Sequence, residues 1–81
     1  MYYVYLLKSE KDKDFYMGFT NNLERRVKEH NNGFVVSTRS RKPFDLIYCE
    51  GYRSEKDAQK KRAKLEIKVK SFHSIKKTHF E

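Results

Sequence analysis

Tyr2-Tyr3-Val4-Tyr5-Leu6-Leu7, and then Phe15-Tyr16-Met17-Gly18-Phe19 after a charged turn at residues 9–14, is the stretch that decides the fold. Both runs are aromatic and β-branched with aliphatic filling, the composition that suits a pleated, half-buried backbone. A short polar connection makes them a β-hairpin. Gly18, late in the second run, points to a bulge or a close approach of another group to the backbone. Thr20-Asn21-Asn22 then supplies capping residues, with Glu24 three after Asn21 as in a capping box. Leu23 and Val27 fall on one helical face, and the helix should stop near Asn31-Asn32-Gly33.

Further on, residues 33–43 read as a loop closed by Pro43, and residues 44–50 as a third strand, central or nearly so. Ser54-Glu55-Lys56-Asp57 is a second capping signal. Ala58 and Leu65 lie seven apart on the helix that follows, and Leu65, Val69 and Phe72 continue at helical spacing. The expected fold class is α/β (α+β), in the order β-β-α-β-α-α: a small three-stranded antiparallel sheet with helices packed against it. Nothing marks a linker or repeat, so residues 1–81 are expected to be a single domain.

Hydrophobic residues make up only 37% of the chain, but six Tyr and six Phe make each buried position large, unlike a disordered basic tail. The net charge is +8, and six of those excess charges lie from Tyr52 onward. Such a field attracts polyanions. Nucleic acid, an anionic surface and an acidic protein all satisfy it. The single cysteine, Cys49, excludes an internal disulfide and reads as a buried thiol within Leu46-Ile47-Tyr48-Cys49. No stretch approaches the roughly 20 apolar residues of a membrane span, and the first residues lack the basic start of a signal peptide. The cytoplasm is the expected compartment, and no membrane partner is expected.

Strand alternation puts Tyr3 and Tyr5 on one face, with Tyr16 on the paired strand. Arg26 and His30, four apart on the first helix, are neighbours next to the inward Leu23 and Val27 stripe. A phenol, a guanidinium and an imidazole can therefore converge where hairpin meets helix; half-buried packing tyrosines and a solvated arginine would give the same periodicity.

The strings themselves go further. Tyr3-Val4-Tyr5, Tyr16-Met17-Gly18, Thr20-Asn21-Asn22-Leu23-Glu24-Arg25-Arg26 and His30 resemble the GIY-YIG endonuclease family. The small free-standing bacterial members that look like the nuclease domain of the excinuclease C subunit are the nearest likeness. The resemblance runs through Ser37-Thr38, Arg41-Lys42-Pro43-Phe44 and Leu46-Ile47-Tyr48-Cys49-Glu50 to Ser54 and Ala58, roughly residues 2–60. It implies hydrolysis of a nucleic-acid phosphodiester with one divalent ion, Mg²⁺ or Mn²⁺. A tyrosine takes the proton of the attacking water, an arginine stabilises the phosphate charge, and the metal supports the leaving oxygen. By position, Tyr5 and Tyr16 match the two motif tyrosines, Arg26 the catalytic arginine and His30 the residue one turn on. DNA is the expected partner, with RNA as the alternative.

Two positions depart from the pattern. Tyr3 replaces the usual glycine of the first motif. The family places a metal-binding glutamate four residues after the alanine that aligns with Ala58, and here that residue is Arg62. Ala58, Arg62 and Leu65 share a face, so Arg62 is expected to point at the site, where a guanidinium repels a dication and offers no oxygen ligand. Glu66, one turn further, is the foremost candidate for a displaced ligand. For phosphate contacts, Ser37-Thr38 with Arg39 and Arg41 form a candidate loop. Lys60, Lys61, Lys64, Lys68 and Lys70 form a candidate helix face. His73 and His79 lack ligand partners at metal-site spacing and read as solvated. The competing readings are a nuclease, a nucleic-acid-binding module without cleavage, and a protein-interaction domain for an acidic partner.

Overall fold

A computed structural model describes residues 1–80, with side chains described through residue 67. Val69, Phe72, Lys68, Lys70, His73 and His79 therefore fall outside the described side chains. The elements are β1 (Tyr2–Ser9), β2 (Phe15–Thr20), α1 (Leu23–Asn31), a 3₁₀ turn (Arg39–Arg41), β3 (Phe44–Tyr52) and α2 (Glu55–Phe80). The sheet is antiparallel throughout, in the order β2-β1-β3. The expected α+β class and its three-stranded sheet hold; the two C-terminal helices are a single 26-residue helix, so the order ends β-α.

β1 is the central strand, which corrects the expectation for the third strand. In a three-stranded sheet only one strand has two neighbours, and β1 holds Val4, Tyr5 and Leu7 at no more than 1% exposure. Each such side chain contributes roughly 1.5–3 kcal/mol through burial. β3 is an edge strand, and residues 45–49 are exposed, Leu46, Ile47 and Cys49 among them. The thiol of Cys49 is thus not a core group. On β3, Tyr48, Glu50 and Tyr52 alternate onto one face, where both phenols donate to the Glu50 carboxylate. These bonds hold that carboxyl below its ordinary range, with Lys61 3.8 Å away adding to them.

The core that matters for function joins the sheet to α1. Tyr5, Leu7 and Phe44 form its buried centre, and Tyr16, Leu23 and Val27 pack against it. The stripe of Leu23 and Val27 is therefore the inward one, as its spacing requires, and is partly buried. The cap of α1 is Asn22, whose side chain accepts from the Arg25 amide at 3.1 Å. Glu24 does not close a capping box from Asn21; it pairs with Lys28 instead, at 3.2 Å. The helix ends where expected, with Asn32 as C-cap and Gly33 at φ +78°, a value glycine adopts without strain.

Residues 33–43 are tied down at two points. Asn31 lends its side-chain amide to both backbone groups of Phe44, accepting from N–H at 2.6 Å and donating to C=O at 3.2 Å. The buried Ser9 hydroxyl accepts from the amides of Lys11 and Asp12 and donates to the Arg41 carbonyl. These bonds fix where residue 38 sits relative to α1. α2 lies against all three strands.

Candidate active site

His30 is the hub of the site. It is fully buried, with Nε2 2.9 Å from the Tyr5 hydroxyl and Nδ1 2.8 Å from Thr38 Oγ1. The rings of Tyr16, Tyr5 and Phe44 surround it at 4.9, 5.9 and 5.9 Å between centroids. The Thr38 hydroxyl has its own acceptor in the Val35 carbonyl, through a long bond of 3.5 Å. Its oxygen is then free to accept from Nδ1–H. That choice leaves the Nε2 lone pair to accept the Tyr5 O–H. Burial, and then the charge of Arg26, push the imidazole down to about 4 against a weak opposing pull from Glu29. At neutral pH His30 is a neutral proton acceptor aimed at a phenol.

Why Tyr5 reaches His30 follows from the sheet. In the β1–β2 register Tyr5 stands opposite Gly18 and Leu7 opposite Tyr16. A Cβ on Gly18 would lie 2.1 Å from the Tyr5 ring, so the ring crosses the backbone where the glycine leaves room. The close approach expected at Gly18 is present. The irregularity lies elsewhere, between Leu6 and Leu7 in the β1–β3 pairing.

Burial separates the two tyrosines. Tyr5 is 1% exposed, whereas Tyr16 is half-buried and reaches solvent. The Tyr5 phenol is raised above its ordinary range by burial; Arg26 opposes this most, Tyr16 adds to it, and Arg62 also works against it. Arg26 is half-exposed, and its guanidinium is steadied by Glu29 at 3.2 Å. Tyr5, Tyr16, Arg26 and His30 are therefore brought together.

From α2, the charge of Arg62 also acts on the Tyr5 hydroxyl, as the weakest of the influences on that phenol. Its Nε is buried without a hydrogen-bond partner, and leaving such a donor unsatisfied costs about 1–3 kcal/mol. Glu66 is exposed one turn along α2. Among the described residues, no three His, Cys, Asp or Glu side chains gather as a metal site requires.

The candidate phosphate loop divides. Thr38 is buried against His30, so it holds the imidazole and does not face a ligand. Arg41 is held by Asp12 at 2.7 Å, by the Phe15 carbonyl and over the Phe44 ring, and so braces the hairpin. Arg39 is exposed. On α2, Lys60 and Lys64 are exposed and Lys61 lies near Glu50. Thr38, Ser9 and Asn31 carry structural roles that the sequence did not signal, because each acts on a partner at least eight residues away.

Thr38→Val tests the imidazole's support. It keeps the shape and strands a buried Nδ1–H, so the fold should lose about 1–3 kcal/mol in urea denaturation. An unchanged midpoint would mean that His30 does not depend on Thr38.

The GIY-YIG catalytic domain family matches residues 1–78. A UPF0213 protein of Clostridium perfringens is 39% identical over 89 aligned positions, covering 100% of this chain and 95% of the relative. One from Natronomonas pharaonis is 39% identical over 94% of this chain and 85% of its own length. The solution NMR structure of a UPF0213 protein from Bacillus halodurans superposes with a TM-score of 0.53 at 30% identity, covering 94% of this chain and 86% of that one. Motif tyrosines on paired strands packed against one histidine, an arginine one turn from that histidine on the first helix, and matches along nearly the whole length agree: the chain belongs to the GIY-YIG family.

Proposed function

We propose that this protein binds the phosphate backbone of DNA at the centre formed by Tyr5, Tyr16, Arg26 and His30, and that Arg62 holds metal-dependent hydrolysis off. Family nucleases act on nucleic acid with a divalent ion, and most of the parts are here. Arg26 offers a planar fork suited to phosphate oxygens. Tyr16 is the phenol that reaches solvent. Tyr5 directs its proton at neutral His30, an arrangement that lets charge shift between them without exposing either. The net charge of +8 favours polyanions in general.

The observation that carries the reading is Arg62. A divalent ion of the Mg²⁺ type takes oxygen ligands. The residues present do not fit one: a cation acts on the Tyr5 hydroxyl from α2, and the described residues gather no acidic cluster. Glu66 as a substitute is not supported by its exposure.

Supercoiled plasmid incubated with Mg²⁺ or Mn²⁺ provides the test, alongside binding of a labelled duplex in chelator. Wild type should bind the duplex and nick at background level. Arg62→Glu should acquire metal-dependent nicking even as its affinity for DNA falls. Adding Arg26→Ala to it should then lower the rate roughly 10²-fold, as for loss of a preorganised charge. Robust metal-dependent nicking by wild type would make the chain an enzyme as it stands and overturn the assignment to Arg62. Absence of duplex binding would remove DNA as the partner.

A further inference from the structure

The outer face of α1 carries a groove that the centre around His30 does not use. Asn22, Arg25, Lys28, Glu29 and Asn32 recur at spacings of three and four and so share that face. Phe34, just past the helix end, lines the same groove, which is open and has a volume of about 540 Å³. That volume lies within the range of small-ligand sites. The Phe34 side chain is 74% exposed, yet its backbone is held. Its N–H donates to the Glu29 carbonyl at 2.9 Å, and the Gly33 N–H donates to the His30 carbonyl at 3.3 Å. Four residues on, Thr38 is buried against His30. The phenyl ring is thus presented to solvent by a segment fixed on both sides. The groove is also charge-balanced, since Arg25 pairs with Glu29 at 4.0 Å and Lys28 with Glu24 at 3.2 Å.

We infer that this groove takes one unpaired nucleobase of a DNA strand, stacked on the ring of Phe34. Walls of paired charges give neither an anion nor a cation much net attraction. They suit a flat, uncharged ligand with donors and acceptors on its edge, and a base is that ligand. Asn32 offers an amide to the edge; Asn22 keeps its Oδ1 on the Arg25 amide and has its NH₂ to give. Stacking on an exposed aromatic ring is how single strands are commonly held, whatever their sequence. Glu29 ties the groove to the candidate site, because it lines the one and steadies Arg26 of the other at 3.2 Å. A strand with a phosphate at Arg26 therefore has a neighbouring nucleotide beside Phe34. The inference rests on the nucleic-acid reading above and deepens it. A base inside a duplex hides its face, so the preferred ligand is a single strand or a nucleotide out of the stack.

The chain has no tryptophan, so Phe34→Trp places a single indole in the groove as a reporter. Its fluorescence is followed in EDTA on titration with a short single-stranded DNA, an abasic strand of equal length and a blunt duplex. The single strand should quench the indole; the abasic strand and the duplex should bind by their phosphates without quenching it. In parallel, Phe34→Ala should weaken binding of the single strand by tenfold or more, on the order of 1.4 kcal/mol. The same change should leave the abasic strand and the duplex within about twofold, and Phe34→Tyr should keep single-strand affinity because its ring still stacks. Val36→Ala removes an apolar side chain that is 76% exposed and does not line the groove, and it should change nothing. A bound single strand that leaves the indole unquenched, or equal losses for intact and abasic strands in Phe34→Ala, would overturn the base site while leaving DNA binding in place. Quenching by the single strand, with the abasic strand and the duplex unbound, would sustain the base site and sink the phosphate-backbone reading.

Discussion

Gly18→Ala should destabilise the fold by about 3 kcal/mol, near the upper end of what overpacking costs. For a domain of this size the melting temperature should then fall by roughly 12–24 °C. The added methyl would start 2.1 Å from the Tyr5 ring and 2.2 Å from its hydroxyl, far inside contact distance. The ring has little room to yield, because its hydroxyl is bonded to His30 and its surface is buried in the core with Leu7 and Phe44. Either the strands separate locally or the ring swings out and abandons His30. The effect belongs to this one pair of residues, which makes it separable. Gly18 does not sit at positive φ, so alanine is compatible with its backbone. In a Tyr5→Leu background the obstruction is gone, and the same Gly18→Ala change should be neutral or stabilising by about 0.4–1 kcal/mol through the unfolded chain. Thermal melts of the four proteins measure the coupling. Additive losses would mean that the glycine is needed for something other than the Tyr5 ring.

That pair also shows what kind of information the sequence carried. The hairpin reading of the two aromatic runs placed Tyr5 and Tyr16 on paired strands, and helical spacing put Arg26 one turn from His30 beside the partly buried Leu23 and Val27. Each of these relations is local to one element or one hairpin, and each holds. β3 was misplaced for the complementary reason. Leu46-Ile47-Tyr48-Cys49 has the composition of a central strand, but which strand gains two neighbours is decided by the whole sheet, and β1 holds that place. Leu46 and Ile47 stay 41% and 48% exposed as a result. Thr38 was legible as a polar residue in a basic loop and no more. Its partner is eight residues back on a helix, reached only because Ser9 and Asn31 pin the intervening segment. Arg41 likewise looks free in the sequence and is spent on Asp12 across 29 residues. Arg62 is the instructive middle case. Helical periodicity gave only an expected direction for it, while its missing hydrogen-bond partner is visible only in three dimensions.

Lowering the pH from about 7 to about 5 should cost the fold about 2 kcal/mol, rising to about 3 kcal/mol near pH 4, through His30 alone. The imidazole is held at about 4 in the folded protein, against 6.5 when unperturbed. Between those values the unfolded chain binds a proton that the folded chain refuses. Stability therefore rises with pH across this window and is lost as pH falls through it. The cause is burial first and the Arg26 charge second, and Glu29 works against both. Protonation also disrupts the bonding: Nε2 accepts from Tyr5 while Nδ1–H is given to Thr38, so an added proton forces the Tyr5 hydroxyl to accept and to turn its own hydrogen elsewhere. The other acid-sensitive groups act lower. Asp12 is held at about 2 by Arg41, so its contribution fades only as pH falls below its ordinary 3.8. Glu50, lowered by the Tyr48 and Tyr52 hydroxyls, begins to lose its contribution below 4.5. Urea midpoints of wild type and His30→Gln between pH 7.5 and 4.5 isolate the term. Glutamine does not titrate, so the variant should be less stable at neutral pH yet nearly flat where wild type slopes. Parallel profiles would mean that His30 takes up its proton in the folded state. The chain of donors from Tyr5 through His30 to Thr38 would then not be the one that holds at neutral pH.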